Sequence, residues 1–172
     1  AACAKHFPGH GDTSADSHRE LPTITVDAAT FAARELVPFR AAVGAGTLAV
    51  MTSHILVPAL DPDLPATLSA TVLGLLRQEL GFTGAIVSDA LDMAGASAGR
   101  GIPEAAVLAL AAGVDLLCIG TDNTAGQLEE IRAHVLQAVR EGWLAEARVF
   151  EAAAGWPRSV PASPRSATPP PI

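Results

Sequence analysis

Lys5-His6-Phe7-Pro8-Gly9-His10-Gly11-Asp12-Thr13 runs almost directly into Asp16-Ser17-His18, so three histidines, one lysine and two aspartates fall within fourteen residues. Pro8, Gly9 and Gly11 mark the stretch as a loop. A solvated polar loop is one reading. A metal site built from His6, His10 and His18 is a second, but Pro8 and Gly9 prevent the helix that would bring His6 and His10 to one face. No Glu follows the first His, as a zinc-protease helix would require. The third reading is a sugar or phosphate site served by an acid/base histidine, and it fits the residue types best. In an extended segment residues two apart point the same way, which sets the Asp16 carboxylate beside the His18 imidazole. A neighbouring carboxylate fixes the imidazole tautomer and raises its proton affinity.

A second constellation is Gly84-Ala85-Ile86-Val87-Ser88-Asp89-Ala90-Leu91-Asp92-Met93. An apolar run ends in Ser-Asp, which puts Asp89 at the C-terminal end of a buried strand. Asp92 is its rival, further along the loop. Each is equally a helix cap or structural carboxylate when taken alone. His54, ending Met51-Thr52-Ser53-His54, either lines a site or is a hydrogen-bonded structural residue. Asp115, inside Val114–Ile119, reads as structural, pairing with neighbouring backbone.

The elements that would position these residues follow from periodicity. Ala2–Phe7, Thr47–Ser53, Ala85–Ser88 and Val114–Ile119 are short unbroken apolar runs, as expected of strands buried on both faces of a parallel sheet. Helical segments lie between them. Asp27 caps one that carries Phe31, Leu36, Phe39 and Val43 and is broken or kinked at Pro38. Ser69 caps the next, with Val72, Leu76 and Leu80 inward and Gly81 as the stop. Pro103 opens a third that Gly113 ends. A fourth covers about 124–141 with Leu128, Ile131, Val135 and Val139 inward, and a short one covers 145–154. The order is β-α-β-α-β-α-β-α, the pattern of parallel βα units. Long loops after the first three strands hold nearly all the His and Asp of interest, while the opposite ends have short turns. That favours part of a barrel over an open doubly wound sheet.

The chain has 172 residues, a formal net charge of −7 and no basic cluster. Nucleic acid and anionic membrane surfaces are therefore not expected partners. No stretch is long and apolar enough to span a membrane. Cys3 and Cys118 fall in apolar runs and read as buried packing residues, without a disulfide framework or metal motif. No cofactor or metal is implied. The given chain has no signal peptide; the compartment is undetermined, with the cytoplasm favoured. The opening AACAKHF resembles the middle of a core, which predicts a missing N-terminal part. Residues 1–154 read as the folded part, and 155–172, rich in Pro, Ser and Arg, as a disordered tail.

The motifs KHFPGHGDT-x-x-DSH, then MTSHI…PALD…PATLS…LLRQELGF-x-GAIVSDALDM, then EAAVLALAAGVDLL, resemble the consecutive signatures of glycoside hydrolase family 3 over about residues 1–154. The Asp-Ser-His loop is similar to that of its β-N-acetylglucosaminidase branch, which includes peptidoglycan-recycling enzymes. The resemblance implies an α/β fold, a partial (β/α)8 barrel with the last four βα units present. It implies retaining removal of terminal β-N-acetylglucosamine through a covalent glycosyl-enzyme. Asp89 would be the nucleophile, His18 the acid/base, Asp16 its partner, and Lys5 and His6 would bind sugar hydroxyls. Expected partners are N-acetylglucosaminides such as peptidoglycan or chitin fragments, and a half-barrel would favour self-association. Other readings stay open: a phosphorolytic variant of the same chemistry, an inactive truncated barrel, a sugar-binding module, or an open-sheet phosphate binder cradling an anion at Gly9 and Gly11.

Overall fold

The computed structural model describes residues 2–13, 21–121 and 123–155. Asp16, Ser17, His18, Glu20 and the tail from 156 onward lie outside the described residues. Three short strands, β1 (Cys3–Phe7), β2 (Ala49–Thr52) and β3 (Ala85–Val87), form a parallel sheet in the order β1-β2-β3. The Lys5–His6 and Phe7–Pro8 peptide bonds are cis, and the β1–β2 register shifts between Ala4 and Phe7.

The helices form where the capping residues allow. Asp27 Oδ1 accepts from the Ala29 and Thr30 amides at 3.0 and 2.9 Å and opens α1 (Ala28–Arg34). Pro38 lacks the amide that would continue α1, so a new helix, α2 (Val37–Gly44), starts with Pro38 in its first turn. Ser69 Oγ accepts from the Val72 amide and opens α3 (Ala70–Gly74). α3 widens into a π-helical turn over Leu75–Glu79, closed by the Leu80 amide on the Leu75 carbonyl. A short α4 (Ala94–Ser97) follows β3. Then come α5 (Ile102–Ala112), with Pro103 in its first turn and Gly113 ending it at φ +120°, α6 (Ala125–Arg140) and α7 (Glu146–Gly155).

Neighbouring residues across a parallel ladder share a face. Ala4, Val50 and Ile86 are in register and look towards the helices, where Val50 and Ile86 are wholly buried with Phe31, Val72 and Leu76. Phe7 meets Phe39 edge to face at 5.1 Å. The other face carries Cys3, Ala49, Ala85, Met51 and Val87, of which only Ala85 is buried, and Leu116 beside Val87 is 44% exposed.

Three expectations change. The segment 114–119 is not a full strand: it makes one parallel bridge, Leu116 with Val87. The Asp115 and Leu116 amides both donate to the Ile86 carbonyl, the Asp115 carboxylate takes the Ile86 amide, and Ser88 Oγ takes the Cys118 amide. Side chains thus replace rungs that a regular ladder would supply. Cys3 is exposed and Cys118 half-buried, because among the described residues no second layer covers the sheet over them. Leu128 is 48% exposed rather than inward; α6 packs mainly on α5 through Ile131 and Ala138, which buries a narrower stripe than an amphipathic count suggests.

Candidate active site

The three long connections leave the C-terminal ends of β1, β2 and β3, and the short turns lie at the other end, so the candidate residues gather at one rim. The Asp89 side chain is 21% exposed. Its Oδ1 accepts from the Ala90 amide at 2.9 Å, and its Oδ2 lies 3.8 Å from His6 Nε2. β1 and β3 are not neighbours, so β2 sets the spacing that brings His6 and Asp89 together.

The backbone around Asp89 is held on both sides. Before it, the buried Ser88 accepts the Cys118 amide at 2.8 Å and donates its own amide to the Leu116 carbonyl. After it, the Ala90 carbonyl lies 2.9 Å from His54 Nε2. A carbonyl only accepts, so Nε2 carries the hydrogen and donates. His54 Nδ1 lies 2.9 Å from Thr67 Oγ1, which is also within 2.9 Å of the Ser53 carbonyl and 2.7 Å of Thr52 Oγ1. Burial pushes the His54 imidazole below its ordinary value, outweighing its bond to Ala90 and the nearby Asp89 and Asp92. Burial thus disfavours the charged ring, which acts as a buried post under the Asp89–Ala90 link. Gly95 of α4 seals it: a Cβ there would stand 2.8 Å from the His54 Cβ. Nothing in the order of residues announces this network; a threonine thirteen positions downstream completes it.

His6 is also pushed down by burial, which exceeds the upward pull of Asp89; Lys5 and His10 push the same way as burial. A neutral His6 can present an N–H or a lone pair to a hydroxyl group. Lys5 precedes it on the exposed edge strand. Both line a cleft of about 670 Å³ with His10, Gly9 and Glu35, and Phe39 forms part of its wall. Asp89 is not in that lining; His6 is the wall the two share. Thr13 Oγ1 donates to the His10 carbonyl at 3.1 Å and lies 3.0 Å from His10 Nδ1.

Asp92 is exposed, and its carboxylate rests against Gly120, where any Cβ would overlap it. Asp115 is structural, as its position suggested: the side chain is 4% exposed and binds Arg77 and Arg148, both at 2.5 Å, besides the Ile86 amide. Among the described residues no three His, Cys, Asp or Glu are placed to hold a metal ion. Lys5, His6 and Asp89 are thus brought to one rim, while Asp16 and His18 lie outside the described residues.

Comparison with known proteins places the chain. The sequence model described as the glycosyl hydrolase family 3 N terminal domain matches residues 1–155. A β-hexosaminidase of Thiobacillus denitrificans is 42% identical over 149 residues, covering 86% of this chain and 40% of that protein. A β-hexosaminidase of Tolumonas auensis is 46% identical over 127 residues, covering 73% and 37%. Among solved structures, a family 3 β-N-acetylglucosaminidase from Paenibacillus sp. superposes with a TM-score of 0.84 at 44% identity, covering 90% of this chain and 29% of that one. The chain therefore spans two fifths or less of the length of these three relatives.

Proposed function

The chain belongs to glycosyl hydrolase family 3, and on that premise we propose that it carries the catalytic rim of a retaining β-N-acetylhexosaminidase acting on terminal β-N-acetylglucosamine. The observation that carries the reading is the Asp89 carboxylate, fixed at the end of β3 and facing His6 Nε2 at 3.8 Å.

Asp89 attacks the anomeric carbon while the bond from that carbon to the aglycone oxygen breaks. His18, protonated and oriented by Asp16, gives its proton to the departing oxygen. Neutral His18 then takes a proton from water, the water oxygen attacks the same carbon, and the Asp89 carboxylate leaves. An imidazole with an ordinary pKa near ~6.5 can act in both directions around neutrality. Lys5 and His6 hold sugar hydroxyls, and a neutral His6 does so without adding a second cation beside Asp89. N-acetylglucosaminides such as peptidoglycan or chitin fragments are the substrates this reading names.

Trapping tests the central assignment. In the complete barrel a 2-fluoro glycoside should label Asp89, seen by peptide mapping, and Asp89→Ala should lose nearly all turnover, a fall of at least about 10³-fold. A label on Asp92, or ordinary turnover in Asp89→Ala, overturns it.

A further inference from the structure

A groove of about 300 Å³ separates α5 from α6, apart from the residues of the rim. Glu104 and Leu108 of α5, His134, Gln137 and Glu141 of α6, and Trp143 line it. Trp143 is 78% exposed among the described residues, yet its place is fixed. Beyond α6, Gly142 turns the chain at φ +80°, and the Trp143 amide donates to the Ala138 carbonyl at 2.9 Å. The next residue, Leu144, is buried with Val107, Leu110 and Ala138. A bonded backbone and a buried neighbour thus hold the indole out beside the groove. An exposed leucine is ordinary, but an indole left in water forgoes a large burial, and Trp concentrates at binding surfaces.

The polar groups select the occupant. Gln137 Nε2 donates to Glu141 Oε1 at 2.8 Å, which fixes both side chains and leaves the Gln137 amide oxygen and the second Glu141 oxygen as acceptors. The lining has two carboxylates and no Lys or Arg, so a phosphate, an acidic peptide or another anion meets no counter-charge. A pyranose with equatorial substituents has an apolar C–H face and an edge of hydroxyls. Its face lies flat on the negative face of an indole, and its hydroxyls donate to carboxylate and amide oxygens.

We propose that the α5–α6 groove is a second carbohydrate-binding site, which holds a β-linked N-acetylglucosamine chain against Trp143. The choice of that sugar rests on the reading of the rim given above. Titration of this chain with the β-1,4-linked tetramer of N-acetylglucosamine, followed by amide and indole NMR signals, tests it. The chain has two tryptophans, so Trp143→Phe assigns the indole signal. The tetramer should shift the Trp143 indole and the amides of 134–143 saturably, with a Kd of roughly 1 mM. Trp143→Ala should weaken this binding at least about tenfold with signals elsewhere unchanged, and Trp143→Tyr should keep part of it. About tenfold more salt should leave the affinity unchanged, as a neutral ligand requires. A basic peptide is the rival occupant, since an indole and two carboxylates also suit a cation. Groove shifts with an oligo-arginine peptide and none with the tetramer overturn the proposal. Groove signals that move with protein concentration and not with sugar overturn it as well. The amides of Lys5, His6 and Asp89 report the rim separately. Rim shifts without groove shifts refute the groove alone, whereas groove shifts without rim shifts support the groove and count against the rim reading.

Discussion

The His54 imidazole has no exposed surface and both ring nitrogens engaged, one by the Ala90 carbonyl and one by Thr67. Its titration is coupled to folding. The unfolded chain takes up the proton near the ordinary value of about 6.5, whereas burial lowers the folded value. Between those values unfolding absorbs a proton, so the stability from a neutral His54 is complete above pH ~6.5 and is lost as the pH falls below it. His54→Asn keeps a donor and an acceptor in the pocket but does not titrate. Its stability should therefore decline less on acidification, the difference approaching about 1.4 kcal/mol per pH unit where one proton is absorbed. Denaturant midpoints between pH 7.5 and 5 measure this. Parallel profiles for the two proteins would show that His54 is not the coupled group. The same variant should lower kcat more than it raises KM, because His54 supports the Asp89 backbone and meets no substrate.

Three elements converge on Asp115 at the rim opposite the site. Arg77 reaches it from the π-helical turn after α3, Arg148 from α7, and the Ile86 amide from β3. Arg77 also donates to the Phe82 and Gly84 carbonyls, and Arg148 to those of Leu110 and Val114. The carboxylate is nearly inaccessible, so its removal leaves two guanidinium groups and one amide without their anion. Asp115→Ala should cost about 3 kcal/mol, at the low end for a broken buried pair because Arg77 stays partly in water. Equilibrium denaturation measures it as a lower midpoint with an unchanged slope. A loss below about 1 kcal/mol would mean that the carbonyl contacts of the arginines hold these elements without Asp115.

Among the described residues the sheet has one face covered by helices and one with little cover. Helices bury Val50 and Ile86, whereas Met51 and Val87 are half-exposed and Leu116 is open to solvent. β1 is also a free edge among the described residues, with unpaired backbone groups on one side. An apolar face and a free edge together favour association. The 172-residue chain of 17.5 kDa should therefore gain mass with concentration in light scattering, and turn over an aryl N-acetylglucosaminide poorly by itself. A monodisperse monomer at high concentration with ordinary turnover would contradict both expectations.

The consecutive motifs and the alternation of short apolar runs with capped helices determined the βα order, the caps at Asp27 and Ser69, the family, and the end of the sheet where the candidate residues gather. These are local signals: a cap reads three residues, a helix face reads seven, and a buried strand reads five. The approach of His6 to Asp89 across β2 and the post that His54 and Thr67 set under Ala90 join residues far apart in the chain, and only the packed sheet and helices decide them. The same holds for the misreadings. Cys3 and Leu128 have apolar neighbours in sequence, but burial requires a partner layer in space, and over both positions the described structure has none. Segment 114–119 has strand-forming residues, yet Asp115 and Ser88 take up its backbone partners, so one bridge replaces a ladder.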